Sequence, residues 1–303
     1  MVVTTIKFWI YLILANLFWA GNLIFGTFVV DEMSPFWITF IRWSLASLIL
    51  IPTSFLLEKP EWSTVKEEWF PLLGMGILGI AGYNIVLMAA LESTSATNAA
   101  FVNALNPGII VLFSFIFLRE KLSRMQITGL VLSIFGVLVI LTKGNINDFL
   151  TIRYNKGDLF IIVTVVLWTF YSIIGKRLKT PPITATAVST IFSCILLLPF
   201  ALMGGIKLSL LGPLTIVGLI YMVIFPSVLS TVLWNFAVRG VGVNKSGVSM
   251  NLIPVFTALI ALTLGEGITA VQIVGGLLVL SGVLITTGIV DVNLKLVKQN
   301  KSM

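Results

Sequence analysis

The chain has 303 residues, of which 58% are hydrophobic and only 10% are charged, and its mean hydropathy is +1.08. A soluble domain carries roughly 25% charged residues, so this composition excludes a water-covered globular surface and indicates an integral membrane protein. The net charge of +7 therefore bears on membrane orientation rather than on nucleic-acid binding, while the lack of histidine and the single Cys194 exclude imidazole chemistry and an intrachain disulfide.

Ten stretches of the chain are long and apolar enough to form transmembrane helices, since a hydrocarbon core of about 30 Å needs roughly 20 apolar residues per helix. They cover residues 6–30, 35–57, 69–91, 97–118, 123–143, 157–178, 183–204, 213–237, 244–265 and 269–290. The first stretch is too long for a signal-peptide core, so we expect it to be retained. Barrel strands would be about ten residues long and alternating, so the pattern predicts an all-α polytopic membrane protein.

The basic residues favour one orientation of these spans. With a cytoplasmic N-terminus, the inside segments hold 14 of the 19 lysines and arginines, the outside segments hold four, and Arg42 lies within a span. The positive-inside rule then predicts a multi-pass protein of the cell (inner or plasma) membrane with both termini cytoplasmic.

The chain also contains an internal repeat. Three prolines recur 147 residues later, namely Pro35, Pro52 and Pro107 as Pro182, Pro199 and Pro254. Four further residues recur after 146, namely Glu120, Gln126, Gly129 and Gly136 as Glu266, Gln272, Gly275 and Gly282. Each half holds five spans, so the second half must be inverted, as in many secondary transporters. The predicted units are a first five-helix repeat (6–143), an external loop (144–156), a second five-helix repeat (157–290) and a cytoplasmic tail (291–303).

Residues 89–140 and 235–285 share a series of motifs: Ala-Leu before a small or polar turn, a mid-helix proline, Leu-x-Glu ending a span, and Gln-x-x-Gly opening the next. In this order, and twice, the motifs resemble the EamA-type ten-span branch of the drug/metabolite transporter superfamily. The resemblance covers residues 8–290 and implies an inner-membrane exporter or permease for amino acids or related metabolites. The second copy departs by a one-residue deletion before Glu266 and by Ser189 in place of Arg42.

Charged residues at membrane depth are few. Arg42 has two interpretations: a cation that lines the substrate path and holds a carboxylate, or a structural ion pair. The acidic residues predicted on the same side are Asp31, Glu92 and Glu266. Glu120 ends a span, where helix termination or a salt bridge with Lys121 or Arg124 would explain it. No acid falls in the central third of a predicted span, so we expect neutral, zwitterionic or anionic substrates.

Amides beside aromatic residues suit a metabolite-sized ligand, because they combine apolar walls with a few orienting hydrogen bonds. The predicted substrate-binding residues are Asn22, Arg42, Tyr83, Asn84, Asn103, Asn106, Trp168, Tyr171, Trp234, Asn235 and Asn251. Interhelical packing of the amides and an interfacial belt of aromatics are the alternative roles. Pro107 and Pro254 fall at mid-span, where each frees the carbonyl four residues earlier and predicts a kink or gate.

The predicted function is export of small metabolites by alternating access through a central cavity between the repeats. A channel-like facilitator and a non-transporting protein of the same fold are the alternatives. We find no nucleophile motif, metal-ligand spacing or paired membrane aspartates, so we expect no enzyme activity, catalytic residue, metal or cofactor. The expected partners are the substrate and the lipid bilayer, without nucleic acid; a monomer would suffice, and the oligomeric state stays open.

Overall fold

The computed structural model describes residues 2–93, 105–142, 145, 155–204, 211–263 and 269–287, and every regular element in these ranges is helical. The helices are α1 (Val2–Val30), α2 (Pro35–Leu57), α3 (Trp62–Glu67), α4 (Trp69–Leu91), α5 (Asn106–Leu118), α6 (Arg124–Thr142), α7 (Lys156–Arg177), α8 (Pro182–Gly204), α9 (Pro213–Val241), α10 (Val243–Ser249), α11 (Leu252–Thr263) and α12 (Ala270–Thr286).

Within the described ranges, seven helices are long and apolar enough to cross a membrane: α1, α2, α4, α6, α7, α8 and α9. The helices α5 and α12 are apolar but shorter, and the predicted ninth span is divided into α10 and α11. Part of the predicted fourth span, 97–118, lies outside the described residues. The architecture is that of a polytopic helical membrane protein, and the described ranges contain fewer full-length helices than the ten predicted spans.

Two of the long helices contain a π-helical segment, Gly76–Gly82 in α4 and Val223–Ser230 in α9. The segments begin 147 residues apart, which is the register of the repeated prolines. Side chains supply donors to the displaced backbone: Asn84 Nδ2 donates to the Ile80 carbonyl at 2.8 Å, and Thr231 Oγ1 donates to the Pro226 carbonyl at 3.0 Å. Because π-helical insertions are frequent at functional sites, these two segments indicate that a functional site lies near them.

The helices α6 and α12 pack against each other through glycines. A Cβ added to Gly129 would lie 2.5 Å from the Gly282 carbonyl oxygen, and one added to Gly136 would lie 2.7 Å from the Gly275 carbonyl oxygen. Gly129, near the start of α6, faces Gly282, near the end of α12, whereas the later Gly136 faces the earlier Gly275. The two helices therefore run antiparallel. Small residues allow such close backbone approach in membranes, where helix association relies on packing rather than on the hydrophobic effect.

Four glutamates from the first half of the chain accept hydrogen bonds from backbone N–H groups of the second half. These contacts, with their donors, are Glu32 with Gly212, Glu58 with Ile183 and Thr184, Glu68 with Lys179 and Thr180, and Glu120 with Val243 and Asn244. A carboxylate at a helix start satisfies N–H groups that have no partner within the helix. Glu120, expected to end a span or to pair with Lys121 or Arg124, thus also contacts the other half of the chain.

Adding a methyl group at Gly275 should weaken the α6–α12 contact. In Gly275→Ala the new Cβ would lie 2.8 Å from the Gly136 carbonyl oxygen, and such overpacking costs about 1–3 kcal/mol. Gly276→Ala is the matched control, because its Cβ would meet its nearest neighbour, Val255, at 4.0 Å and a helical alanine gains up to about 1 kcal/mol. Thermal unfolding of the purified proteins should show a lower melting temperature for Gly275→Ala alone; equal melting of both variants would contradict the close contact.

The Glu68 contact should make stability depend on pH. Burial alone would raise the pKa of the Glu68 carboxyl, but hydrogen bonds from Lys179 and Thr180 favour its charged form and lower the pKa from its ordinary value of 4.5. The carboxylate therefore stabilises the fold above pH 4.5, and this contribution is lost as the pH falls through the lowered pKa. Glu68→Gln should melt below the wild type at pH 7, with the difference shrinking below pH 4.5. Glu67→Gln, at an exposed neighbour, should show no such pH-dependent difference.

Candidate functional site

A cavity of about 30 Å³ lies where α1, α2, α4, α7, α9 and the α10–α11 junction meet. Its polar lining residues are Asn22, Arg42, Tyr83, Asn84 and Thr231, and the remaining lining residues are Trp19, Leu23, Trp43, Leu87, Trp168, Pro226, Met250 and Ile253. A buried water needs about 10–15 Å³ of cavity volume, so this cavity has room for about two waters. Its walls come from both halves of the chain and from both helices that contain π-helical segments.

Arg42 occupies one wall of the cavity and is only 3% exposed. Its Nε donates to Ser227 Oγ at 2.5 Å, and its Nη1 donates to Asn84 Oδ1 at 3.2 Å. Ser227 lies within the π-helical segment of α9, and Asn84 lies two residues after that of α4. One guanidinium on α2 therefore joins the two irregular helices. Within the described ranges its Nη2 has no hydrogen-bond partner.

The two interpretations of Arg42 can be compared with its surroundings. Among the described residues no carboxylate pairs with it, and neither Asp31 nor Glu92 is bonded to it. The third predicted partner, Glu266, lies outside the described residues. Both neighbours that accept its hydrogen bonds are neutral, so the positive charge is not compensated in the described part of the structure.

Aromatic rings make up much of the rest of the lining, and Trp168 contacts several of them. Its ring contacts Trp19 edge to face with 5.2 Å between centroids, and it lies 5.1 Å from the Tyr83 ring. Tyr171 stacks behind it at 4.8 Å, and Trp234 lies at 5.6 Å. Edge-to-face and offset-stacked rings are the favoured aromatic geometries. The cluster forms a firm wall whose faces can contact an apolar or cationic part of a ligand.

Three buried polar atoms of the cavity-lining side chains lack a hydrogen-bond partner: Asn22 Oδ1, Trp43 Nε1 and Trp168 Nε1. Buried polar atoms are rarely left unpaired in folded proteins. One of these atoms is an acceptor and the other two are donors, so a ligand or water with both kinds of group would satisfy them. Together with Arg42, they make this cavity the candidate binding site.

Four of the predicted binding residues lie behind the cavity wall rather than in its lining. Asn235 Nδ2 donates to the Tyr171 hydroxyl at 2.7 Å, and Trp234 Nε1 donates to Ser172 Oγ at 3.0 Å. Asn251 Nδ2 donates to Ser133 Oγ at 2.8 Å. Hydrogen bonds between helices use the amide and indole donors of these side chains, which fits the interhelical packing considered for the amides. Asn235 Oδ1 alone among them is buried without a hydrogen-bond partner in the described ranges.

The remaining predicted residues belong to the two interrupted spans. Asn103 lies outside the described residues, and Asn106 and Pro107 are buried in the first turn of α5, where proline is well tolerated. Pro254 lies in the first turn of α11, after the break at positions 250–251. The expectation that Pro254 frees the Met250 carbonyl is wrong, because Ile253 N donates to that oxygen at 3.0 Å.

Several lining residues were not predicted from the sequence, among them Trp43, Pro226, Thr231, Met250 and Ile253, as well as the Arg42 acceptor Ser227. A proline followed by serine inside an otherwise apolar span, as at Pro226, is a signal of local irregularity that points to this part of α9. Ile253 directly precedes Pro254, where the sequence predicted a kink. Within the described ranges, no three acidic or cysteine side chains lie close enough together to hold a metal ion.

Comparison with known proteins relates this architecture to membrane transporters. The model of the EamA-like transporter family matches residues 7–142 and again residues 155–288. The chain is 27% identical to the uncharacterized transporter YyaM of Bacillus subtilis, covering 95% of each protein, and 31% identical to an uncharacterized transporter of Archaeoglobus fulgidus, covering 91% of this chain and 96% of the relative. A solved structure described as "Crystal structure of protein" has the same fold, with a TM-score of 0.73 at 20% identity, covering 94% of this chain and 97% of the other.

Two asparagines should respond differently to truncation. Asn235→Ala leaves the Tyr171 hydroxyl without its amide partner, and a lost buried hydrogen bond of this kind costs about 1 kcal/mol. Asn22→Ala removes an acceptor that is unpaired and should cost less. Thermal unfolding of both purified variants should therefore show a lower melting temperature for Asn235→Ala than for Asn22→Ala. The reverse order would place Asn22 in a structural network instead of at the site.

Proposed function

The chain belongs to the EamA-like transporter family, and from that premise we propose that it exports small neutral, zwitterionic or anionic metabolites, such as amino acids, across the cell membrane. The observation that carries the substrate preference is the uncompensated charge of Arg42 at the central cavity. Alternating access through this cavity is the mechanism we propose. No chemical step is involved, so the side chains have only to bind, orient and release.

A carboxylate is the group that the Arg42 wall fits best. A charged side chain at membrane depth is costly, and such residues generally pair or mark a substrate path. A substrate carboxylate would supply the missing negative charge to Nη2, and arginine hydrogen bonds with carboxylates are about twice as strong as neutral ones. Trp43 follows Arg42 in the chain, and its Nε1 is buried without a hydrogen-bond partner. This N–H offers a second donor to the same carboxylate.

The aromatic side of the cavity suits the other end of a zwitterion. An ammonium group can donate to Asn22 Oδ1, which lacks a partner, and can lie against the faces of Trp19 or Tyr83. An apolar side chain of the substrate would pack on the same rings. A ligand with cationic groups alone would meet Arg42 without a compensating carboxylate among the described residues, so we expect such ligands to be excluded.

The size of the cavity favours a carrier over a channel-like facilitator. About 30 Å³ is too small for a metabolite, because ligand pockets usually measure ~300–1,000 Å³. A substrate could therefore enter only after the surrounding helices move apart. A channel would instead need a continuous path lined for selectivity, whereas this cavity is small and is lined mostly by aromatic and apolar side chains.

The proposed architecture for this movement is ten spans in two inverted five-helix repeats, residues 6–143 and 157–290, with both termini cytoplasmic. Three observations support it. The family model matches the chain twice, the π-helical segments share the repeat register, and α6 and α12 pack antiparallel through repeated glycines. Two similar halves can exchange conformations around a fixed site, which gives alternating access a physical basis.

Transport by Arg42 variants in proteoliposomes tests the substrate preference. Arg42→Gln keeps a donor for Ser227 or Asn84 but removes the charge, so uptake of carboxylate-bearing substrates should fall about tenfold or more, given 1.5–3 kcal/mol for a charged hydrogen bond. Counterflow should be measured with labelled zwitterionic, anionic, neutral and cationic metabolites. The amount of protein in the membrane should stay at the wild-type level.

Arg124→Gln is the matched control, since Arg124 is exposed and lies outside the cavity; its transport should equal that of the wild type. Arg42→Lys keeps the charge without the planar fork and should retain part of the activity. Undiminished transport by Arg42→Gln would remove Arg42 from the site. Absence of saturable flux and counterflow for every substrate class would overturn the carrier itself.

A further inference from the structure

A second and larger cavity, of about 290 Å³, opens between the α5–α6 connection, the end of α7 and the α9–α10 junction. The charged residues that line it are Glu120, Lys121, Lys176 and Lys245. It shares no lining residue with the central cavity. The charge pattern of the sequence places this end of the spans on the cytoplasmic side.

The charges around this cavity do not balance, because three lysines face one glutamate. The Glu120 carboxylate already accepts from the Asn244 backbone N–H at 3.1 Å and from Ser114 Oγ at 3.2 Å. The ammonium groups of Lys121 and Lys245, by contrast, make no hydrogen bond or ion pair with another described residue. Two ammonium groups are therefore free to bind a ligand that enters from the surface.

The third lysine is held in place. Lys176 is half-buried, and its Nζ donates to the Arg239 carbonyl at 2.8 Å. The Arg239 guanidinium lies nearby, and its Nη2 is buried without a partner. Glu120 lies within electrostatic reach of Lys176, and Glu58 and Glu68 lie within reach of Arg239. A fixed, partly dehydrated ammonium still attracts a negative ligand more strongly than a mobile surface lysine does.

We propose that this basic cavity is an anion-binding site that recognises a phosphate group, carried either by the headgroup of an anionic lipid or by free phosphate. Lysine ammonium groups bind phosphate as point charges. Basic pockets between membrane helices on the cytoplasmic side bind phosphate headgroups. The volume accommodates a phosphate group with its hydration or glycerol attachment, whereas the central cavity is about a tenth as large.

The site also touches a contact between the two halves of the chain. Glu120 lines the cavity and caps the start of α10, and Gly242, with φ +94°, leaves space for its carboxylate where a Cβ would approach to 3.0 Å. A phosphate bound to Lys121 and Lys245 would link the α5–α6 connection to α10, in addition to the link that Glu120 already makes. Its occupancy therefore stabilises the connection between the halves at this end, whether or not the protein transports metabolites.

The double variant Lys121→Gln/Lys245→Gln tests the site in the purified full-length protein. Thermal unfolding is followed while sodium phosphate replaces sodium chloride at constant ionic strength. The wild type should show a saturable rise in melting temperature with phosphate, and the double variant should need roughly 25-fold more phosphate, at about fivefold for each lysine removed. Lys66→Gln, an exposed lysine of α3 outside the cavity, should behave like the wild type.

A second measurement distinguishes the two sources of the phosphate group. The proteins are placed in nanodiscs of equal parts phosphatidylglycerol and phosphatidylcholine, and retained lipids are counted by native mass spectrometry. Preferential retention of phosphatidylglycerol by the wild type, lost in the double variant, identifies a lipid headgroup; a saturable effect of free phosphate identifies the soluble anion. If neither probe separates the double variant from Lys66→Gln and the wild type, the site does not exist as proposed.

Discussion

The buried guanidinium of Arg42 sets the geometry of the centre of this bundle. Removing a cation from water costs several kcal/mol, and the structure tolerates it through Ser227 Oγ and Asn84 Oδ1. Both oxygens lie in or just after a π-helical segment. An extra residue in a helical turn rotates every following side chain by about 100°, so the irregular segments determine which oxygens reach the cation. The two helices are thereby tied to α2 and to each other.

The relation between the halves is close in the backbone but not in the side chains. The π-helical segments are 147 residues apart, yet the position that corresponds to Arg42 in this register is Ser189. Its hydroxyl donates to the Leu72 carbonyl at 2.9 Å, a contact between α8 and α4. Two arginines related by the repeat would double the cost of burying charge. A single arginine instead gives the cavity one cationic residue together with a group of aromatic rings, which suits a ligand with two different ends.

The sequence alone could locate much of the site because depth in the membrane is readable from span length. Asn22, Arg42, Tyr83, Asn84 and Trp168 were predicted on that basis, and all line the cavity. The direction in which each side chain points could not be predicted from the sequence. Trp234 and Asn235 lie at a similar depth but hydrogen-bond to α7 and α8 and do not line the cavity. The Pro-Ser pair at Pro226 indicates a local irregularity, but the rotation that a π-helical segment introduces does not follow from a period of 3.6 residues. The contact of Ser227 with Arg42 was therefore not predictable, whereas polytopic helices with irregular positions at the mid-span prolines were.

The contacts between the halves differ in how easily they can be exchanged. The glutamate caps, such as those of Glu58 and Glu120, are hydrogen bonds near the helix ends, each worth about 1 kcal/mol net, and water can replace them when they open. The α6–α12 contact is a close approach of backbone to backbone at Gly129 and Gly136, and lipid chains would restore only part of its packing energy once the helices separate. A movement that opens the central cavity should therefore break caps at one end and keep the glycine contact intact. We expect α6 and α12 to act as the pivot about which the proposed repeats move.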